Sequence, residues 1–168
     1  MEWSQRGVDV VQGDLDDKDS LLKAFEGAYA VFGTTDFWGP VFDPATKSKL
    51  GDGQKINEYA FDCEVQRGKN IAEAAAETTT VERFITSALP NASVCTGGRL
   101  KHIYHFDSKA AVVENVKQRL PKLAEKMSVL YIGSYMTNWG TGLQPRQVSK
   151  ALPVFDVSDP LTFRAATG

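Results

Sequence analysis

Two histidines and a cysteine lie close together in the second half of the chain. His102 and His105 are three residues apart, and Cys95 precedes them. Because a structural zinc site needs about four protein ligands, these three side chains do not make one, and we predict no metal. His105 could nevertheless exchange a proton, because imidazole titrates near neutrality.

Composition excludes several classes of protein. The chain has 168 residues, 42% of them hydrophobic and 24% charged, which is ordinary for one globular domain. A net charge of −2 gives no electrostatic reason to bind nucleic acid or an anionic membrane directly. No apolar run is long enough to cross a bilayer, and the first residues do not resemble a signal peptide. With only two cysteines, a cytosolic location is expected.

Short β-branched or apolar segments alternate with amphipathic ones along the chain. The long 3.6-residue period from Ile56 to Ala75 predicts a helix, and shorter helices are predicted after Asp16 or Asp17 and from near Asp107. The predicted strands are Val8–Gln12, Tyr29–Gly33, Arg83–Thr86 and Met127–Ile132, with Leu152–Val157 as a further candidate. This alternation predicts an α/β fold with about four parallel strands, a Rossmann-like sheet with flanking helices.

Ligands of open parallel sheets bind beyond the carboxyl ends of the strands. Topology alone therefore selects the residues that follow each predicted strand as the lining of a site. They are Asp14 and Leu15, then Thr35, Asp36 and Phe37, then Ser87, and finally the segment from Gly133 through Tyr135, Met136, Thr137 and Asn138.

A dinucleotide pyrophosphate is normally held where a strand runs through a glycine-rich turn into a helix. The sequence contains no G-x-G-x-x-G and no P-loop pattern. Gly51-Asp52-Gly53 follows no predicted strand, and Gly97-Gly98 lies in a polar loop. We interpret these glycines as turn residues.

Seven short motifs follow one another along nearly the whole chain. They are Gly7–Asp17, Gly27–Phe32, Thr35–Trp38, Gln66–Ala72, Ser87–Ala92, His105–Lys109 and Tyr135–Asn138. Each motif alone is weakly specific, but the set in this order resembles the NmrA-like family, a branch of the atypical short-chain dehydrogenase/reductases.

The resemblance implies one NAD(P)-binding domain over residues 1–168, incomplete at both ends and lacking the glycine-rich loop. It favours NADP(H) as the cofactor and leaves NAD(H) open. By this analogy Lys109 reaches the nicotinamide ribose. The other cofactor-binding positions implied are Asp14 and Leu15 near the adenine, Thr35, Asp36 and Phe37 under the dinucleotide, and Tyr135, Met136, Thr137 and Asn138 on the nicotinamide side.

One departure from the superfamily affects the functional reading. Its catalytic members carry Tyr-x-x-x-Lys, whereas here His105 stands four residues before Lys109 and Tyr104 stands five before, about 100° away around a helix. NmrA-like proteins often lack this tyrosine and act as cofactor-sensing regulators, which is the favoured reading, and a regulator could also be located in the nucleus. A reductase of a small carbonyl or enone, using Lys109 and His105, is the alternative, and an interaction module or an inactive truncated fragment is a third.

For several of these residues a purely structural role is an alternative to a functional one. Lys109 is a ribose ligand or a solvated helix residue, and the motif favours the ligand. Asp14 either contacts cofactor or only turns the chain, while Phe37 and Trp38 either stack on a ligand or cover the end of the sheet. Ser87 could bind substrate, but without the tyrosine we favour a loop cap.

The first predicted strand raises a question of pairing. In the usual strand order, Val8–Gln12 and Tyr29–Gly33 are not neighbours. Either Val8–Gln12 pairs directly with Tyr29–Gly33, or another chain fills the gap. An apolar edge on Tyr29–Gly33 would favour self-association or a protein partner.

Overall fold

The computed structural model describes residues 3–133 and three short strands at 146–147, 154–156 and 163–164. The chain divides into two compact units, Met1–Tyr131 and Ile132–Gly168. Short 3-10 helices occupy Ser4–Arg6 and Pro44–Lys49 of the first unit. Its other elements are α1 (Lys18–Ala24), β1 (Ala30–Gly33), α2 (Trp38–Phe42), α3 (Ile56–Glu77), β2 (Arg83–Ala88), α4 (Ala92–Cys95), α5 (Tyr104–Arg119), α6 (Pro121–Glu125) and β3 (Met127–Tyr131).

The three strands of the first unit form a parallel sheet in the order β1-β2-β3. Phe32 pairs with Ile85, and Ile85 pairs with Ser128, which fixes the register across the sheet. The α/β class and the Rossmann-like parallel sheet with flanking helices are therefore confirmed. The carboxyl ends of the strands lie at one edge, so the segments that follow them can meet there.

Local signals at the ends of α1 act as the sequence indicates. Asp17 caps the helix, because its side chain accepts a hydrogen bond of 3.0 Å from the backbone N–H of Asp19. Gly27 follows the helix with a φ of 73°, a left-handed conformation that glycine adopts without steric cost. Leu21 then packs its buried side chain into the core.

The core lies between one face of the sheet and the long helices. Val31 of β1 and Phe84 of β2 are both buried, and the residues next to them in each strand are more exposed. They share a cluster with Ile71 of α3 and Val116 of α5. The close packing of these elements holds the ends of β1, α3 and α5 in fixed relation to one another.

The prediction of a strand at Val8–Gln12, and of a four-stranded sheet, is wrong. Residues 8–13 form no helix or strand, and β1 pairs only with β2 among the residues described. Val10 and Val11 are 65% and 61% exposed. A parallel strand is stabilised by ladder hydrogen bonds and by burial of both faces, and this segment has neither, so its β-branched composition does not suffice.

The second unit contributes three short antiparallel strands, β4 (Arg146–Gln147), β5 (Val154–Asp156) and β6 (Phe163–Arg164). β5 lies between the other two. It coincides with the centre of the candidate strand Leu152–Val157, which is confirmed there. Within the part of the chain that the structure describes, no helix is both long and apolar enough to cross a membrane.

Candidate functional site

A buried carboxylate lies at the centre of the polar residues beyond the end of β1. Glu64 of α3 is fully buried. Its carboxylate accepts hydrogen bonds from the hydroxyl of Thr35, at 2.7 Å, and from the hydroxyl of Ser108. It also forms an ion pair with the ammonium of Lys109. Because a buried charge is tolerated only when it is paired and hydrogen-bonded, this arrangement explains how a glutamate can stand inside the protein.

The ammonium of Lys109 is tied to the segment that follows β1. Besides Glu64, it donates to the backbone carbonyl of Thr35 at 2.9 Å and to the Thr35 hydroxyl at 3.1 Å. The Lys109 side chain is only 14% exposed. The alternative of a solvated helix residue is therefore wrong, because Lys109 projects inward and joins α5 to the carboxyl end of β1.

The close approach of α3 and α5 makes this ion pair possible. A Cβ at Gly68 would lie 2.9 Å from Cγ1 of Val112 and closer still to its Cγ2, so only glycine fits there. Glu64 precedes Gly68 by one helical turn, and Ser108 precedes Val112 by one turn. The glycine contact and the carboxylate cluster are thus successive layers of one helix–helix interface.

The residues after Thr35 are held by Asp36. Its carboxylate accepts from the backbone N–H groups of Trp38, at 2.9 Å, and Gly39, at 3.0 Å, which caps α2. Phe37 is buried with its ring edge-on to Trp38 at a centroid distance of 5.2 Å. Trp38 is about half exposed and stacks on Phe42. Phe37 is therefore part of a buried aromatic cluster, and Trp38 presents an aromatic face to solvent.

His105 lies among these aromatic rings. Its ring centroid is 5.9 Å from that of Phe37 and 5.2 Å from that of Trp38. Burial lowers the pKa of His105 below its ordinary value of 6.5, and the Lys109 ammonium lowers it further, whereas the Glu64 carboxylate opposes the shift. A neutral imidazole able to accept a proton is the form expected at pH 7.

Tyr104 is directed toward a different set of residues. Its hydroxyl donates to Glu58 at 3.4 Å and lies 3.1 Å from Nδ1 of His102. Both Tyr104 and Lys109 lie in α5, so Tyr104 is turned away from the Lys109 face, as expected from its position five residues earlier. The phenol is therefore not paired with Lys109. His105 remains the residue on the Lys109 face.

Asp14 and Leu15 form the turn that leads into α1. The Asp14 carboxylate accepts from the backbone N–H of Asp16 at 2.9 Å, and the Asp14 N–H donates to Ser20. The Leu15 carbonyl accepts from the side chain of Asn70 in α3 at 2.8 Å. The Asp14 carboxylate therefore helps to form this turn, while the residue as a whole stays exposed.

The turn is also fixed to α3 by an ion pair. Asp16 binds the Arg67 guanidinium through two hydrogen bonds of 2.8 and 2.7 Å, which lowers the pKa of Asp16 and raises that of Arg67. Since Glu64 lies on the same helix, α3 connects the Asp14 turn to the Lys109 cluster.

Ser87 of β2 lies beside the Lys109 cluster. Together with Thr35, Thr86 and Lys109 it lines a small cavity of about 10 Å³. That space is of the order of one water molecule. The structure therefore brings Ser87 and Lys109 to one place, while the predicted residues Tyr135, Met136, Thr137 and Asn138 lie outside the described residues.

Two residues of this cluster, Glu64 and Ser108, were missed from the sequence. A signal for Glu64 was present, because it stands four residues after the buried Ala60 and four before Gly68, on the apolar face of the long helix. A charged residue on such a face requires a buried partner. No comparable signal marks Ser108, a common residue type on the first turns of a helix.

Comparison with known protein families places this geometry in context. The model of the NmrA-like family matches residues 2–165 of the 168. The chain belongs to the NmrA-like family. This family binds NAD(P). The motifs that carry the resemblance include Thr35–Trp38, Gln66–Ala72 and His105–Lys109, and these segments contribute Thr35, Arg67 and Lys109 to the interactions described above.

Proposed function

We propose that this NmrA-like chain binds NADP(H) at the carboxyl ends of its parallel strands and acts as a cofactor-sensing regulator. The observation that carries the proposal is the position of Lys109. Its ammonium is held against the carbonyl of Thr35, two residues beyond β1, where parallel sheets bind their ligands. The preference for NADP(H) over NAD(H) rests on the family alone.

The arrangement supports specific roles for the remaining residues. Lys109 is a hydrogen-bond donor for a ribose hydroxyl, and the segment Thr35–Phe37 forms the surface beneath the dinucleotide. Asp14 and Leu15 lie at the adenine side, where the exposed Asp14 can accept hydrogen bonds. Tyr135 to Asn138 are assigned to the nicotinamide side by the resemblance.

Affinity is expected to be low, because the sequence has no glycine-rich turn to donate backbone N–H groups to the pyrophosphate. Charge-assisted hydrogen bonds of that kind contribute about 1.5–3 kcal/mol each. The absence of two or three weakens binding by several orders of magnitude. We therefore expect no NADPH binding at micromolar concentration, and a dissociation constant of about a millimolar if about 4 kcal/mol of an ordinary micromolar affinity is lost.

NMR titration of the ¹⁵N-labelled chain tests the proposal at such affinities. NADPH is expected to shift the amide signals of Thr35, Asp36 and Phe37 and those around Lys109 in a saturable way. Amides at the far end of the sheet, such as those of Leu123 and Lys126, provide the internal control. The absence of any saturable shift up to about ten times the expected constant would contradict the proposal, and NADH in place of NADPH measures the preference between cofactors.

A reductase of a small carbonyl or enone is the second candidate, and the environment of His105 favours it. A half-buried imidazole with a lowered pKa, beside the exposed ring of Trp38, is suited to exchange a proton with a bound substrate. Oxidation of NADPH with a panel of quinones and enones tests this reading. Turnover by the unchanged chain that is lost in His105→Phe would support this reading. If the unchanged chain oxidises NADPH no faster than buffer alone, the reductase reading fails and the regulator remains the proposed function.

A further inference from the structure

We propose that Glu64 is the positioning residue of the dinucleotide site, which orients the Lys109 ammonium toward a ribose. This inference rests on the proposed function and extends it to a residue that has no contact with solvent. Glu64 is fully buried, so it cannot touch a ligand itself. Any effect that it has on binding must pass through Lys109 and Thr35, the two groups that it holds.

The hydrogen-bond inventory of Lys109 defines what Glu64 does. An ammonium has three protons, and its three acceptors here are the Glu64 carboxylate, the Thr35 carbonyl and the Thr35 hydroxyl. A ribose hydroxyl can therefore enter only by replacing one of these acceptors. The question becomes which of the three hydrogen bonds can be exchanged at least cost.

The bond from Lys109 to the Thr35 hydroxyl is the one that can be exchanged. At 3.1 Å it is the longest of the three, and the Thr35 hydroxyl keeps its own 2.7 Å bond to Glu64 when Lys109 leaves it. By contrast, loss of the bond to Glu64 would remove a charged partner from a fully buried carboxylate. Glu64 thus retains Lys109 and Thr35 in place while one ammonium proton turns to the ligand.

The carboxylate is itself oriented by the α3–α5 interface. Ser108, which is fully buried, donates its hydroxyl proton to the second carboxylate oxygen of Glu64. The other carboxylate oxygen of Glu64 binds both the Lys109 ammonium and the Thr35 hydroxyl. Because the carboxylate is held in one orientation, it holds the ammonium in one position, which reduces the entropic cost of ordering Lys109 when the ribose binds.

The experiment compares two ligands in two variants by NMR titration. NADPH carries the nicotinamide ribose, whereas 2′,5′-ADP carries only the adenylate half. Glu64→Gln preserves the shape of the side chain and removes its charge. Ser108→Ala is the milder variant that leaves both charges in place, and it serves if Glu64→Gln folds poorly. Each variant is compared with the unchanged chain for both ligands.

We expect Glu64→Gln to raise the dissociation constant of NADPH by about tenfold, and Ser108→Ala by a smaller factor, with that of 2′,5′-ADP changed less than about twofold. An equal loss for both ligands would show a merely structural role and overturn the inference, as would NADPH binding that neither variant changes. These outcomes leave the proposed function standing. If the unchanged chain responds to neither ligand, the proposed function itself fails, and this inference fails with it.

Discussion

Gly68 of α3 lies directly against the side chain of Val112 of α5, and this contact sets the distance between the two longest helices. Glycine in the middle of a helix costs about 1 kcal/mol relative to alanine. From the sequence, Gly68 is therefore a weak point of the helix. In the structure it is the position that admits the neighbouring helix, and so it permits the buried Glu64 cluster one turn away.

Gly68→Ala is expected to destabilise the protein, although alanine is the better helix former. The new methyl group would overlap the γ-carbons of Val112, and overpacking of this kind costs about 1–3 kcal/mol. We expect this cost to exceed the free energy gained from the higher helix propensity of alanine, about 1 kcal/mol. Urea unfolding measures the change. The same substitution in a Val112→Ala background should cost less, because the two γ-carbons are gone and only the contact of 3.2 Å with the Cβ at position 112 remains. A Gly68→Ala protein as stable as the unchanged chain would contradict the assigned contact.

Lys109→Ala is expected to reduce the free energy of unfolding by about 3–5 kcal/mol, because it leaves a fully buried carboxylate without its counter-charge. A solvated lysine would tolerate alanine, so a large loss of stability distinguishes the buried ion pair from an exposed side chain. Lys117→Ala, at an exposed position of the same helix, is the matched control and should change stability by less than about 0.5 kcal/mol. Equal unfolding midpoints for the two variants would show that the ion pair contributes little.

Replacing both partners separates the charge from the packing. In Glu64→Met with Lys109→Met, no unpaired charge remains, and the similar side-chain volumes fill the interface. Most of the stability lost in Lys109→Ala should therefore return. If the double variant is no more stable than the single one, packing around Lys109 rather than charge explains the loss.

Much of the fold was predictable because its signals are local. The period from Ile56 to Ala75 identified α3, and the apolar segments Arg83–Thr86 and Met127–Ile132 identified β2 and β3. Val8–Gln12 failed because a strand depends on a neighbour that local composition does not reveal. Segments of similar composition were therefore predicted correctly as strands where a neighbouring strand pairs with them. The prediction failed for the segment that has no such neighbour among the described residues.

The site was predictable in part for a similar reason. Topology and the family motifs selected Thr35 and Lys109, and the structure joins them by hydrogen bonds. The partner that organises them, Glu64, lies on a separate helix 45 residues before Lys109. Pairings between distant positions depend on how helices pack, and the decisive packing feature was Gly68, a residue without a side chain.

The stability of the protein should depend on His105 below neutral pH. Burial lowers the pKa of His105 in the folded state, so the unfolded chain binds a proton more readily. The stability that the folded chain has with an unprotonated His105 is therefore fully present above the ordinary pKa of 6.5. It is lost as the pH falls through the lower pKa of the folded state. Urea midpoints measured between about pH 5 and pH 8 should fall toward acid less steeply in His105→Phe than in the unchanged chain.

The other histidine provides the control for this measurement. His102 is exposed and has a left-handed φ of 65°, which asparagine also tolerates. His102→Asn should therefore keep the pH dependence of the unchanged chain. A steep acid loss that persists in His105→Phe would assign the effect to carboxylates instead.

Asp36→Ala is expected to loosen α2 and the ring of Trp38. The substitution removes the acceptor for two backbone N–H groups, and loss of such a cap costs about 0.5–2 kcal/mol. Near-ultraviolet circular dichroism should show a weaker tryptophan signal, with Trp38→Phe as the reference for the contribution of this residue. The asparagine of Asp36→Asn can still accept a hydrogen bond, so the tryptophan signal of this variant should lie between those of the unchanged chain and Asp36→Ala. An unchanged signal in Asp36→Ala would mean that packing on Phe37 and Phe42 alone fixes the ring.

The edge of β1 opposite β2 should promote self-association. Within the residues described, β1 has a strand neighbour only on the side of β2, and Tyr29 and Phe32 are 63% and 55% exposed. An open strand edge with apolar neighbours is a template for pairing with a second chain. We therefore expect concentration-dependent dimers in sedimentation velocity experiments, together with a low melting temperature.

Phe32→Lys tests whether β1 is the contact, because a charge beside an open edge opposes strand pairing. It should raise the dimer dissociation constant by about tenfold, or about 1.4 kcal/mol. Val94→Lys places the same charge at an equally apolar position on α4, where the side chain is 76% exposed, and should leave the constant unchanged. Equal effects of the two substitutions would indicate a general response to net charge. A strictly monomeric chain with a high, cooperative melting transition would show that the edge of β1 is protected in solution, and that its exposed aromatic residues do not bring two chains together.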